Sequence, residues 1–193
     1  GNDVVRFKAL GKTWQRDDGG IKLVFENATG LVKRLDKVAV VGVNGAGKST
    51  FLKMVAGQTE QTSGDLQMGA GINIGYFSQH ALEVLNPNKT IFDEIHDRIP
   101  EATIGYVRNL LGAFLFSGDD VYKKIAVLSG GEKSRVVLAT LLAKPNNLLI
   151  LDEPTNHLDI RSREMLMNAI KMFEGTVLLV SHDRHFLKQI TTK

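Results

Sequence analysis

The sequence predicts an α/β domain built around a parallel sheet, and three observations carry that class. The apolar runs Leu148–Leu151 and Thr176–Val180 are solidly hydrophobic, as strands covered on both faces must be. Strand-like and helix-like segments alternate along the chain, which implies parallel connections. A glycine-rich loop, Gly42–Gly47, separates an apolar strand from a helical pattern. In order, Val4–Ala9 and Ile21–Phe25 read as β segments joined by a hairpin turn at Arg16-Asp-Asp-Gly-Gly20. Val38–Val41 is the strand before the glycine loop, and Lys48–Ala56 is the helix after it. Ile72–Phe77 follows as a strand, and Thr90–Ile99 as a helix opened by the capping pattern Thr90-x-x-Asp93. Gly112–Lys124 reads as loop-rich, Val136–Ala143 as an apolar helix, and Ile160–Phe173 as a helix with Leu166, Ala169, Ile170 and Phe173 on one stripe. The chain's 193 residues and 43% apolar content suffice for one such domain and its core. No linker divides it.

Composition removes several classes of function. A formal net charge of +3 is spread along the chain without a basic run, so charge alone makes a weak case for nucleic acid. There are no cysteines, which excludes a disulfide framework and thiolate metal sites and agrees with a cytoplasmic setting. The apolar runs fall far short of the ~20 residues a membrane-spanning helix needs, so a soluble domain without direct membrane insertion is expected.

The loop Gly42-Val-Asn44-Gly45-Ala46-Gly47-Lys48-Ser49 sits between strand and helix, the setting a phosphate-binding P-loop requires. Its glycines let successive backbone N–H groups face the phosphates, Lys48 places a positive charge at the β/γ position, and the Ser49 hydroxyl can ligate Mg²⁺; Thr50 continues the helix beside it. Far downstream, Leu148-Leu-Ile-Leu-Asp152-Glu153 ends a buried strand in two acids. With a P-loop upstream, Asp152 is the acid expected to hold the Mg²⁺ water shell. Glu153, expected to point the other way, is the carboxylate that orients and polarises the attacking water. Leu128-Ser129-Gly130-Gly131-Glu132 contains a capping box, Ser129-x-x-Glu132. Capping does not call for two successive glycines, however, and close backbone approach to an anionic ligand accounts for them.

The P-loop, Leu128-Ser-Gly-Gly131, the acidic strand and Ser181-His182-Asp183 occur in the order seen in ATP-binding cassette (ABC) ATPases, and the chain resembles that family over nearly its whole length. The resemblance implies a P-loop NTPase core with an N-terminal antiparallel β region and a small helical subdomain at roughly residues 85–130, all within a single domain. It implies Mg²⁺-dependent hydrolysis of ATP to ADP and phosphate. Gln79, in Tyr76-Phe-Ser-Gln79, resembles the glutamine that reaches Mg²⁺ and the attacking water, and His182 resembles the histidine that contacts the γ-phosphate. Trp14 stands where the family stacks an aromatic ring on adenine, more often a tyrosine. Two cassettes of this family close head to tail, so Ser129, Gly130 and Gly131 of one would cover the nucleotide held by the other, with Asp159 near the shared interface. His80, His157 and His185 receive no catalytic role.

The wording Glu132-Lys133-Ser134-Arg135 and Thr155-Asn156-His157-Leu-Asp159 is similar to the ABC-F branch, ATPases that act on ribosomes. That branch carries two cassettes and a long helical linker. By comparison this chain reads as one cassette of a longer protein, more like the second because the Gln79–Leu128 interval is too short for an inserted arm. Two rival readings share the ATP site: the energising subunit of a membrane transporter, and a binding module gated by ATP with incidental hydrolysis.

Overall fold

Two sheets of opposite character share the molecule in the computed structural model, which describes residues 1–42 and 47–193. The expectations for Asn44, Gly45 and Ala46 lie outside the described residues. Among the described residues the elements are, in chain order, β1 (Asp3–Gln15), β2 (Ile21–Lys33), β3 (Lys37–Ala39), α1 (Lys48–Val55), β4 (Ser63–Met68), β5 (Ile74–Phe77) and α2 (Gln79–Glu83). They continue with α3 (Ile91–His96), α4 (Ile104–Ala113), α5 (Gly130–Ala143), β6 (Leu148–Asp152), α6 (Ile160–Met172), β7 (Thr176–Val180) and α7 (Arg184–Ile190).

β2, β1 and β4 form an antiparallel sheet in that order. The expected hairpin turn joins β1 to β2: Arg16 N–H donates to the Gly20 carbonyl at 2.7 Å, and Gly19 N–H donates to the Arg16 carbonyl at 3.0 Å. Gly19 takes a positive φ of 82°, which a side chain would resist. Both strands run well past the segments expected from sequence, because cross-strand pairing, although interrupted by register shifts, supports residues whose own β preference is weak. The sequence reading missed β4. Its residues Ser-Gly-Asp-Leu-Gln-Met are mostly polar and exposed, and backbone pairing to β1 as an edge strand is what makes them β.

The second sheet is wholly parallel, in the order β3-β7-β6-β5. Leu148 to Leu151 and Val177 to Val180 are all buried, and successive residues feed opposite cores. Leu148, Ile150, Leu178 and Val180 pack with Phe51, Leu52, Met54 and Val55 of α1 and with Val4, Val5 and Leu10 of β1. Leu149, Leu151, Val177 and Leu179 pack instead with α5, α6 and α7 and with the helical segment between β5 and α5. Each such fully buried aliphatic side chain contributes about 1.5–3 kcal/mol, so the central strands anchor both layers.

In the helical segment, Thr90 Oγ1 accepts the Asp93 N–H at 3.1 Å, as the capping pattern anticipated. α4 is an element the sequence reading did not name, and its last residues fall within the stretch expected to be loop. Two glycines weaken its intrinsic preference, but Thr103 caps it at 3.1 Å and Val107 and Leu111, four residues apart on one face, are completely buried. The remainder of Gly112–Lys124 is irregular apart from a short 3₁₀ turn, Gly118–Tyr122.

Candidate active site

Parallel strands bring their carboxyl ends to one edge of the sheet, and four of the chemically suggestive segments follow such ends. The glycine loop follows β3, Gln79 follows β5, Asp152 closes β6, and Ser181-His182 follows β7. The two central ends are tied together: Glu153 N–H donates to the Val180 carbonyl at 2.8 Å, and Thr155 Oγ1 lies 3.2 Å from Ser181 Oγ.

A cavity of about 380 Å³ opens at this edge, lined by Gly47, Lys48, Ser49 and Thr50 on one side and by Glu153, Val180 and His182 on the other, with Trp14, Lys22 and Val24 closing it. A neighbouring hollow of about 350 Å³ is lined mainly by Phe7, Phe25, Ala28, Val38, Val40 and Phe51. It lacks acids, so the polar cavity is the one equipped for chemistry. Gly47 bears a positive φ of 85°, and a Cβ there would fall 2.6 Å from Val24 Cγ1, so glycine is needed both for the turn and for the packing of α1 against β2. Lys48 Nζ donates to the Gly42 carbonyl at 2.8 Å, bracing the two ends of the loop.

Ser49 Oγ donates to Asp152 Oδ1 at 3.2 Å, so the first residues of α1 and the end of β6 meet. Glu153 was expected to point away from Asp152 by strand alternation. The strand stops at Asp152, and Glu153 has a left-handed φ of 53°; its side chain lines the cavity with Lys48 and Ser49, whereas Asp152 is not among the lining residues. Its carboxylate is mostly shielded, with an exposure of 18%, and is held by His182 twice. The His182 backbone N–H donates to Glu153 Oε2 at 3.3 Å, and His182 Nε2 lies 3.2 Å from Glu153 Oε1.

Trp14 stands at the mouth, 45% exposed, with Lys12 Nζ 4.2 Å from its ring centre. Lys12 is itself buried and donates to the Glu60 carbonyl, which fixes the ammonium against the indole. Sequence reasoning missed Lys12, Lys22 and Val24. The hairpin turn held a usable signal for one of them, because counting outward from it places Lys22 opposite Trp14. Lys12 depends on a contact with residue 60 that no local pattern announces.

The other named residues lie elsewhere. Gln79 is exposed at the start of α2 and does not line the cavity. Ser129 caps α5 through a complete capping box, its Oγ accepting the Glu132 N–H at 3.2 Å while Glu132 Oε1 accepts the Ser129 N–H at 3.1 Å. The paired glycines require a correction. Close approach to a ligand was the reason inferred for both, but a Cβ on Gly131 would sit 2.6 Å from the His157 carbonyl oxygen, so that glycine is demanded by the protein's own backbone. At Gly130 a Cβ would meet the His157 ring at an ordinary 3.7 Å, so packing does not explain it. Asp159 caps α6, accepting the Ser162 N–H at 2.8 Å, and that hydrogen bond holds its carboxyl below the usual aspartate range. These residues form a second surface, centred on His157.

A sequence model of the family described as ABC transporter matches residues 25–156. The chain is 41% identical over 194 residues to ABC transporter F family member 2 of Arabidopsis thaliana, covering 100% of this chain and 28% of that protein. It is 43% identical over 176 residues to the ATP-binding protein Uup of Escherichia coli K12, covering 89% of this chain and 28% of that protein. The chain thus spans less than a third of the length of these relatives. Its fold is similar to that of the dimeric structure of MJ0796, a bacterial ABC transporter cassette, with a TM-score of 0.81 at 22% identity over 96% of this chain and 90% of that one.

Proposed function

The chain belongs to the ABC transporter family, and on that premise we propose that it is an ABC-F ATPase cassette that binds ATP with Mg²⁺, hydrolyses it to ADP and phosphate, and acts on the ribosome as the second half of a two-cassette unit. The observation that carries the ATPase reading is the convergence of Lys48, Ser49, Thr50, Glu153 and His182 on one cavity with an indole at its mouth.

The residues divide the work by position. Lys48 and the N-terminal N–H groups of α1 hold the β- and γ-phosphates, together with the loop residues Asn44, Gly45, Ala46 and Gly47. Trp14 offers adenine the ring face not covered by Lys12. Ser49 Oγ and Asp152 Oδ1, hard oxygen donors 3.2 Å apart, fit Mg²⁺, which takes few protein ligands and completes its shell with waters and phosphate oxygens. When bound, the ion neutralises charge on the β- and γ-phosphate oxygens. Glu153 takes the position of general base, polarising the attacking water, and His182 both orients that carboxylate and faces the γ-phosphate. Gln79 serves the metal and the water only after its segment swings inward from its exposed position.

Ser129, Gly130, Gly131 and Asp159 lie off the cavity, which accords with their serving the nucleotide of a facing cassette. The cassette of similar fold is a dimer, and that supports pairing. The ribosome reading rests on the wording of the motifs and on the F-family name of the Arabidopsis relative. The deciding experiment takes the Glu153→Gln variant and measures ATP affinity, turnover and association state. ATP binding without turnover, with an ATP-dependent dimer of the isolated chain and ATP-dependent co-sedimentation of the parent protein with ribosomes, is the expected result. Near-normal turnover overturns Glu153 as base, and lost turnover without association overturns pairing.

A further inference from the structure

Tyr76 opens the stretch that leads to Gln79, yet no role has been given to it, and it lies near the proposed metal site. On β5 it pairs with Ile150 of β6, so Asp152, two residues beyond Ile150, is its diagonal neighbour on the same face of the sheet. That face is the one covered by α1, since Tyr76 and Ile150 both pack into the core shared with Phe51 and Leu52, and Ser49 reaches Asp152 from the same side. The shared face and the influence of the Asp152 charge on the phenol put the Tyr76 side chain near Asp152. Burial, and after it the negative charge of Asp152, pushes the Tyr76 phenol above its ordinary pKa.

Among the described residues that donor is unused. Tyr76 Oη is buried and finds no hydrogen-bond partner among the described residues. Native proteins rarely leave a buried hydroxyl unmatched, and a phenylalanine would fill the same space without the desolvation cost. Asp152 spends one oxygen on Ser49. A carboxylate that serves a hydrated ion needs a further hydrogen bond to hold its plane, a role that outer-shell donors commonly fill.

We infer that Tyr76 is a positioning residue of the magnesium site, its hydroxyl donating to Asp152, directly or through one metal-shell water, when the metal and nucleotide are bound. The inference rests on the nucleotide-site reading above and adds to it a residue that touches neither nucleotide nor reacting atoms.

The test compares the wild-type chain with Tyr76→Phe, using Mn²⁺ in place of Mg²⁺ and a non-hydrolysable ATP analogue. Electron paramagnetic resonance titration gives the Mn²⁺ affinity with the analogue bound, calorimetry in EDTA gives metal-free analogue affinity, and thermal melting gives the stability of the nucleotide-free chain. Tyr76→Phe is expected to weaken Mn²⁺ about tenfold, to leave metal-free analogue affinity unchanged, and to keep or raise the melting temperature because an unmatched hydroxyl is gone. Unchanged Mn²⁺ affinity with the analogue bound overturns this inference alone. A lowered melting temperature also overturns it, by making the hydroxyl structural. Failure of the wild-type chain to bind the analogue overturns the nucleotide site itself, and the role of Tyr76 with it.

Discussion

At the scale of single residues, the two acids at the end of β6 separate by one backbone angle. Asp152 continues the strand and meets Ser49, whereas the left-handed φ of Glu153 turns its carboxylate to His182. Glu153→Gln keeps size and most hydrogen bonds but loses basicity, so turnover should fall by roughly 10²–10⁴-fold with ATP affinity retained, as steady-state kinetics and calorimetry will report. Asp152→Asn should instead shift the Mg²⁺ concentration needed for half-maximal turnover upward if that carboxylate serves the metal as proposed. Lys48→Ala should abolish tight ATP binding in calorimetry, because no other side chain offers a cation from α1's first turn. Trp14 is the only tryptophan, and one of its faces carries Lys12. Stacking of adenine on the other face should change its emission on ATP addition, and constant fluorescence at saturating ATP would remove it from the site.

Among the elements, caps and close packing make claims that can be weighed against each other. Thr90 is the N-cap of α3, and Thr90→Ala should cost about 1 kcal/mol, seen as a lower denaturation midpoint with an unchanged slope. The successive glycines of α5 should part company. Gly131→Ala forces a Cβ against the His157 carbonyl and should destabilise the chain by about 1–3 kcal/mol. Gly130→Ala meets only ordinary contact and should leave the fold intact while impairing ATP-dependent pairing. Equal stability of the two variants in urea would show that α5 can shift away from His157, and the packing argument would fail.

For the molecule as a whole, the polar cavity proposed to hold the nucleotide and the surface of Ser129, Gly130 and Asp159 are separate places on one chain. If each completes the other in a facing cassette, specific activity should rise with protein concentration. Turnover per chain measured over a wide dilution series checks this, and a flat profile would mean that one cassette suffices. The ties between β6 and β7 hold Glu153 and His182 against each other, and the chain beyond Glu153 leads on to His157 and Asp159.

What the sequence determined by itself is what contiguous residues encode. The β6 and β7 strands, the Arg16–Gly20 turn, the cap at Thr90 and the capping box at Ser129 were all legible, because apolar runs, turn glycines and cap hydroxyls act on neighbours within a few residues. Part of the cavity lining was legible too, since the motif order named Trp14, Lys48, Ser49, Thr50, Glu153 and His182, but Lys22 and Val24 were not. Tertiary structure alone decided the rest. β4 is a strand because β1 lies beside it, α4 is a helix because Val107 and Leu111 find a core, and Gly131 is required because the His157 carbonyl passes close by. Lys12 on Trp14 and Tyr76 beside Asp152 arise from the register between strands and from contacts far apart in the chain. A local pattern carries no information about what will be packed against it, and these features exist only once the two sheets and their helices have come together.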